Sequence, residues 1–204
     1  MDLRLILRSP WVYMAFQAAV GGLYARNRCL ELLAVKSGER VLDIGCGPAY
    51  YRRHLPEIEY FGFDTDARYI EHARSHFGHN GTFFCDEFGP KHAHGLGQFD
   101  CVILMGLLHH LDNQYCNETL ALIASSLRPS GRVLALDTAI HSDQGYFEKR
   151  FAQSDRGNFV RRPEEFESLA VRHFSNVHGQ LIRAWWIPSI YWAMVLKEPR
   201  TIQN

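Results

Sequence analysis

The chain has 204 residues, and its 22 Lys plus Arg are balanced by 22 Asp plus Glu. That length suits one domain with a substantial core, and zero net charge excludes the basic field expected of a nucleic-acid binder. The five cysteines (Cys29, Cys46, Cys85, Cys101 and Cys116) are odd in number and form no C-x-x-C pair. This usage excludes a disulfide framework or a metal site and fits small buried hydrophobes in a reducing, cytoplasmic setting.

Residues 3 to 34 read as helices. Leu3, Ile6 and Leu7 share a face, and Ser9-Pro10 suits a helix start with proline at its first position. The run from 11 to 24 is mostly apolar but shorter than the roughly 18 uninterrupted apolar residues of a membrane span. No small-x-small cleavage site follows it, which excludes a signal peptide. A lid or packing helix is expected, and Arg4, Arg8, Trp11 and Tyr13 leave open an association of residues 1 to 24 with a membrane surface. A second helix over 25 to 35 should stop at Ser37-Gly38.

Val41, Leu42 and Ile44 form the short apolar run of a buried strand, with Asp43 near its end. Gly45-Cys46-Gly47-Pro48 then turns the chain, and its glycines permit both unusual backbone angles and close approach of a ligand. Twenty-one residues beyond Asp43, the run 60 to 64 is a second strand, ending in Asp64. In doubly wound nucleotide-binding folds, an acid there accepts hydrogen bonds from ribose hydroxyls. The dinucleotide pattern G-x-G-x-x-G/A would need a small residue at Tyr50, which opposes a nicotinamide or flavin site.

Residues 50 to 54 suit a short helix or turn. Asp66 should cap a helix over 67 to 77. A third strand, 82 to 86, ends in Asp86. Residues 89 to 97 read as a loop in which His92 and His94, without a nearby carboxylate, are solvated. A fourth strand, 98 to 106, is apolar enough for burial on both faces and runs into Leu107-Leu108-His109-His110-Leu111. A helix over 117 to 127, a break at 128 to 131 and a fifth strand over 132 to 137 complete an alternation of strand and helix. That alternation implies a parallel sheet with right-handed crossovers. Residues 138 to 162 are polar and dotted with rings and arginines: His141, Tyr146, Phe147, Arg150, Arg156, Phe159, Arg161 and Arg162. A helix begins at Pro163 with acids in its first turn. Stretches 177 to 183 and 190 to 196 read as a closing hairpin decorated by Trp185, Trp186, Tyr191 and Trp192.

The D-x-G-x-G phrase at Asp43, Gly45 and Gly47, the acid-tipped strands at Asp64 and Asp86, and the F-D-x-V strand at Phe99 stand in a familiar order. They are followed by the L-H-H-L turn at Leu108 and the L-R-P-x-G-x-V-L phrase at Leu127. Over residues 38 to 137 this order resembles the class I S-adenosylmethionine-dependent methyltransferases, in the style of their small-molecule branch. The resemblance implies an α/β, Rossmann-like doubly wound fold, with a mainly parallel seven-stranded sheet and an antiparallel C-terminal strand. It also implies one domain over 1–204, divided into a helical lid (1–37), a cofactor-binding core (38–137), a substrate-covering insert (138–162) and a closing helix and hairpin (163–204).

Carried over residue by residue, Gly45 and Gly47 admit the methionine part of the cofactor and Asp43 orients its ammonium. Asp64 holds the ribose, Asp86 meets adenine, and Phe88 flanks the purine. Cys46, Thr65, Glu87 and Met105 complete the implied cofactor-binding set, with S-adenosylhomocysteine as the product. Ala49 stands where the family usually carries a third glycine. The implied acceptor is a small molecule with an oxygen or nitrogen nucleophile. The N-P-P-Y/F phrase of many base- and amide-methylating members is missing, which disfavours nucleic acid. Arg150, Arg156, Arg161 and Arg162 suit an anionic acceptor and equally a solvated charged loop.

His109 is the candidate general base, with packing at a helix start as the competing role. Its neighbour His110 should point about 100° away on a helix. Two other readings stand beside the enzyme. One is a non-catalytic cofactor-binding scaffold, supported by Ala49; the other is a nucleotide-binding oxidoreductase, opposed by Tyr50.

Overall fold

The computed structural model describes residues 22–145, 157–183 and 190–200. The apolar runs become strands β1 (Arg40–Ile44), β2 (Glu59–Asp64), β3 (Thr82–Cys85), β4 (Phe99–Met105), β5 (Leu127–Thr138), β6 (Phe174–Ile182) and β7 (Tyr191–Pro199). They hydrogen-bond in the order β3-β2-β1-β4-β5-β7-β6. Strands β1 to β5 run parallel, and β7 alone runs against its neighbours, pairing antiparallel with both β5 and β6.

Helices α1 (Gly22–Leu33), α2 (Ala67–Phe77), α3 (Pro90–Leu96), α4 (Asn113–Ser126) and α5 (Pro163–Ala170) cover both faces. Alternate strand residues serve opposite faces, as the two-residue period requires. Val41, Ile103, Leu134 and Leu136 pack with Cys29 and Leu33 of α1 and Ile70 of α2. Leu42, Leu104, Val133 and Ala135 pack with Leu120 of α4 and Phe166 of α5. These strand residues are at most 1% exposed, so the strands needed the continuous apolar runs that marked them in the sequence.

Of the boundaries that differ from expectation, three have a local physical cause. The stretch 89–97 contains α3, with Pro90 at its first position, because proline's fixed φ starts a helix at no hydrogen-bond cost. Helix α4 begins at Asn113, where the Asp112 side chain accepts from the Tyr115 N–H at 2.8 Å. The Arg128-Pro129-Ser130-Gly131 phrase does not end pairing. Strand β5 runs through it as a bulge, Phe99 pairing with Leu127 and Cys101 with Arg132. A Cβ on Gly131 would lie 2.7 Å from Leu127 Cδ2 and 2.9 Å from Arg128 O, so only glycine fits the bulge. Residues 1 to 21 of the expected lid (1–37), together with Tyr146, Phe147, Arg150, Arg156, Trp185 and Trp186, lie outside the described residues. Among those described, no helix is long and apolar enough to cross a membrane.

The C-terminal end of helix α1 is tied to the sheet by one side chain of β5. Arg132 Nε donates to Leu33 O at 2.5 Å and Nη2 to Ala34 O at 2.7 Å. The same guanidinium meets both Glu39 oxygens, at 3.0 and 2.9 Å. It therefore satisfies carbonyls at the helix end, which have no intrahelical partner. Arg132→Ala should lower the unfolding free energy by about 1–3 kcal/mol, read as a lower urea midpoint. An unchanged midpoint would mean that α1 is held by its apolar face and Arg26 without help from Arg132.

Candidate active site

The order of the strands reverses between β1 and β4, and the crevice outside their C-terminal ends is where open parallel sheets bind ligands. The loop after β1 is sewn to β2. Gly45 and Cys46 N–H donate to Phe63 O at 2.8 and 2.9 Å, and Gly47 N–H donates to Asp64 Oδ2 at 2.8 Å. The other Asp64 oxygen accepts from Asp66 N–H at 2.8 Å. Asp64 is thus a clasp between the glycine loop and the end of β2, and burial raises its carboxyl pKa.

Gly47 has φ 55°, and a Cβ built there would face open space. Its requirement is backbone shape, not crowding. Ala49 takes the same left-handed conformation, φ 55° and ψ 33°, and is fully buried. The cost of about 1–2 kcal/mol for a non-glycine residue there is offset in part by its buried methyl, worth about 0.8 kcal/mol.

Arg26, Asp43, Cys46, Gly47, Tyr51 and Met105 line the crevice. Asp43 is 2% exposed and accepts from Tyr60 Oη at 2.5 Å. Burial pushes its carboxyl up to about 7, with Tyr60 and Arg26 pulling the other way. Arg26 reaches in from α1, donating to Tyr51 Oη at 2.7 Å and to Met105 O at 3.4 Å. A guanidinium and a carboxyl group therefore face one crevice, an arrangement complementary to a zwitterion. Arg26 was not among the sequence candidates. Its signal was an arginine on the same helical face as Leu30 and Leu33, both buried.

Past the end of β4, a 3₁₀ turn spans Leu108–His110. His109 is 5% exposed and Asp137, on β5, is 2% exposed. His109 Nδ1 lies 2.7 Å from Asp137 Oδ1, and the His109 N–H donates to the same oxygen at 3.1 Å. A carboxylate only accepts, so the ring hydrogen sits on Nδ1 and the lone pair on Nε2. Nε2 lies between Cε1 and Cδ2. A Cβ on Gly106 would come within 3.6 Å of Cε1 and 3.0 Å of Arg26 Nη2, and one on Gly157 within 1.9 Å of Cδ2. The proton-accepting edge is therefore bracketed by two glycines, one of them beside Arg26. His110 is exposed, yet its ring centroid is only 4.2 Å from that of His109. The two side chains lean together even so, although a 3₁₀ turn sets successive residues about 120° apart, more than the 100° expected of an α-helix.

The remaining candidates lie around the ends of β2 and β3. Thr65, Asp86 and Glu87 are exposed. Phe88, expected to flank a purine, is placed in the core at 6% exposure, its ring 5.2 Å from Phe63. His92 is not a solvated loop residue. It sits on α3 with its ring 4.9 Å from that of Phe63 and Nε2 3.4 Å from Asp86 Oδ2. Arg161 is 6% exposed and spent on internal carbonyls. Arg162 is exposed, and its N–H donates to Glu165 Oε2 at 2.8 Å at the start of α5. Among the described residues, no three His, Cys, Asp or Glu side chains gather to hold a metal.

Residues 41–131 match the family model of a methyltransferase domain. An uncharacterized methyltransferase of Anoxybacillus flavithermus is 26% identical over 162 residues, 74% of this chain and 73% of that protein. A ubiquinone biosynthesis O-methyltransferase of Aromatoleum aromaticum is 31% identical over 105 residues, 48% of this chain and 43% of its own length. Among solved structures, a Haemonchus contortus phosphoethanolamine N-methyltransferase 2, in complex with phosphomonomethylethanolamine and S-adenosylhomocysteine, superimposes with a TM-score of 0.69. At 16% identity, covering 95% of this chain and 58% of that one, it is a likeness of fold. The chain thus spans less than half of the second protein and under two thirds of the third.

Asp43 gives the ligand-free protein a pH signature. With the folded pKa near 7 and an ordinary value of 3.8, its contribution to stability is complete below about pH 4. It drains away between about pH 4 and 7 and is absent above. Asp43→Asn should remove that slope and raise stability at pH 7.5 by an amount on the order of 2–4 kcal/mol. Each kcal/mol corresponds to about 2–4 °C of melting temperature in a chain of this size. Thermal scans from pH 4 to 8 check this; parallel wild-type and mutant curves would refute the buried-charge argument.

Proposed function

The chain belongs to the class I S-adenosylmethionine-dependent methyltransferases, and on that premise we propose that it methylates an oxygen or nitrogen of a small-molecule acceptor. The observation that carries this reading is the buried Asp137–His109 pair, whose imidazole borders the same point over Gly106 as Arg26.

The cofactor's amino-acid end suits the crevice: Asp43 would meet the ammonium and Arg26 the carboxylate. Gly45, Cys46 and Gly47 would admit the chain between them. Asp64, with Thr65, would take the ribose, and Asp86, with Glu87, the adenine. Bound S-adenosylmethionine supplies an electrophilic sulfonium methyl group, so the residues have only to orient the acceptor, exclude water and manage one proton. His109 Nε2 takes that proton from an acceptor hydroxyl or ammonium. Asp137 holds the ring in this tautomer and stabilises the charge that forms on it. Arg161 does not serve an anionic acceptor, because its donors are turned to internal carbonyls. The scaffold alternative loses its support, since Ala49 keeps the left-handed shape that the loop requires.

The test is incubation with S-adenosylmethionine and a panel of phenols, catechols and amines, read by methyl mass shift and S-adenosylhomocysteine release. His109→Ala should lower kcat by about a hundredfold or more, with S-adenosylhomocysteine affinity unchanged. At saturating cofactor Asp43 is held ionised by its partner, so an acidic limb in kcat reports the base and should vanish in the mutant. An identical pH profile in wild type and His109→Ala would reject the base. Asp64→Ala should weaken cofactor binding by more than the roughly 1–3 kcal/mol of lost hydroxyl contacts, because it also releases Gly47. Calorimetry showing equal affinities would dispose of the ribose assignment.

A further inference from the structure

We propose that Arg161 is a positioning residue for His109, so that the base is correctly placed only when the segment 157–161 is docked on its turn. The inference rests on the reading of His109 as the base and identifies what holds it.

The guanidinium of Arg161 is buried among acceptors from three parts of the chain. Nη1 donates to Leu108 O at 2.9 Å and to Phe159 O at 3.0 Å. Nη2 donates to Leu111 O at 2.6 Å, and Nε to Asn113 Oδ1 at 3.0 Å. Leu108 and Leu111 immediately flank the two histidines, so the planar fork fixes both ends of the short turn at once. Asn113 ties the same fork to the first turn of α4.

The backbone of the segment completes the attachment. Phe159 N–H donates to His109 O at 3.0 Å, and Ile140 N–H to Arg161 O at 3.0 Å, while Arg161 forms a parallel bridge with Ala139 just past β5. Gly157 lies against the ring itself; a Cβ there would be 1.9 Å from Cδ2 and 2.6 Å from His109 O. No side chain can stand between segment and imidazole. Docking of 157–161 and placement of the ring against Asp137 are therefore one event. A lysine could not replace the fork, since one ammonium cannot reach acceptors spread over four residues.

The experiment needs no acceptor. In the full chain with ¹⁵N-labelled histidine rings, the buried Nδ1–H···Asp137 bond should give a deshielded, slowly exchanging proton, assigned by its absence in His109→Gln. In Arg161→Gln, in Arg161→Lys and, independently, in Gly157→Ala, its exchange with water should quicken by about tenfold or more as the closed state loses about 1.4 kcal/mol. S-adenosylhomocysteine affinity by calorimetry should stay within about twofold, since the clasp and crevice are untouched. Wild-type exchange in an Arg161→Gln protein that still binds S-adenosylhomocysteine would overturn the proposal. If Arg161→Gln does not fold, Arg161→Lys decides the matter, fast exchange supporting it and wild-type exchange refuting it. A failure of the base reading would appear separately, as undiminished turnover in His109→Ala.

Discussion

Three backbone donors and one carboxylate hold the functional end of this fold together. Gly45 and Cys46 give their N–H groups to Phe63 O, and Gly47 gives its own to Asp64. These bonds continue the β1–β2 ladder beyond the strands, into a loop that would otherwise expose its polar backbone. The left-handed angles at Gly45, Gly47 and Ala49 follow from them. So does the crevice, whose floor is the stitched loop and whose walls are Asp43 and the helix that carries Arg26. Gly62 shows how tight the seam is: a Cβ there would meet Cys46 Sγ and Phe83 Cδ1 at 2.9 Å.

Around that seam the protein buries charge. Asp43, Asp137, Arg26 and Arg161 are each at most 9% exposed, against the usual preference of such groups for water. Two different solutions appear. Arg161 makes four hydrogen bonds to internal acceptors and behaves as a structural element of the turn. Asp43 has one short bond from Tyr60 and remains costly to ionise, which is a conflict between local stability and readiness for a cationic ligand group. Asp137 is held on one side: its Oδ1 accepts from the His109 ring and N–H, and among the described residues its Oδ2 has no hydrogen-bond partner.

What the sequence revealed divides by range. Strand β1, helix α2 with its Asp66 cap, and the Pro163 helix start were legible because period and capping are local signals. The expected mainly parallel sheet, ended by an antiparallel strand, is the one found. The glycine turn after β1 and the acids at the ends of β1 and β2 were legible too, since strand, turn and acid lie within a few residues. Helix α3 was misread as a loop because its glycines and histidines outweighed the start signal of Pro90. Arg26, Asp137 and the internal role of Arg161 stayed hidden for another reason. Arg26 contacts Met105, Asp137 contacts His109, and Arg161 contacts Leu108. Separations of that length become contacts only once the sheet order is known. The neighbouring rings of His109 and His110 depended on side-chain rotamers, which no residue type in the turn dictates.

The place of β7 also governs how the chain can be assembled. It is the last of the described strands in chain order, yet it lies inside the sheet, between β5 and β6. Strands β1 to β5 can pair as they emerge, each crossover adding a neighbour to a growing edge. Strand β6 has no place to attach until β7 exists, because among the described strands β7 is its sole partner in the sheet. Until then β5, whose inner residues Val133 to Leu136 end up at most 1% exposed, presents an open edge. The chain is thus at its stickiest before β7 emerges, and the insertion of β7 is a long-range closure of the kind that slows folding and draws chaperones.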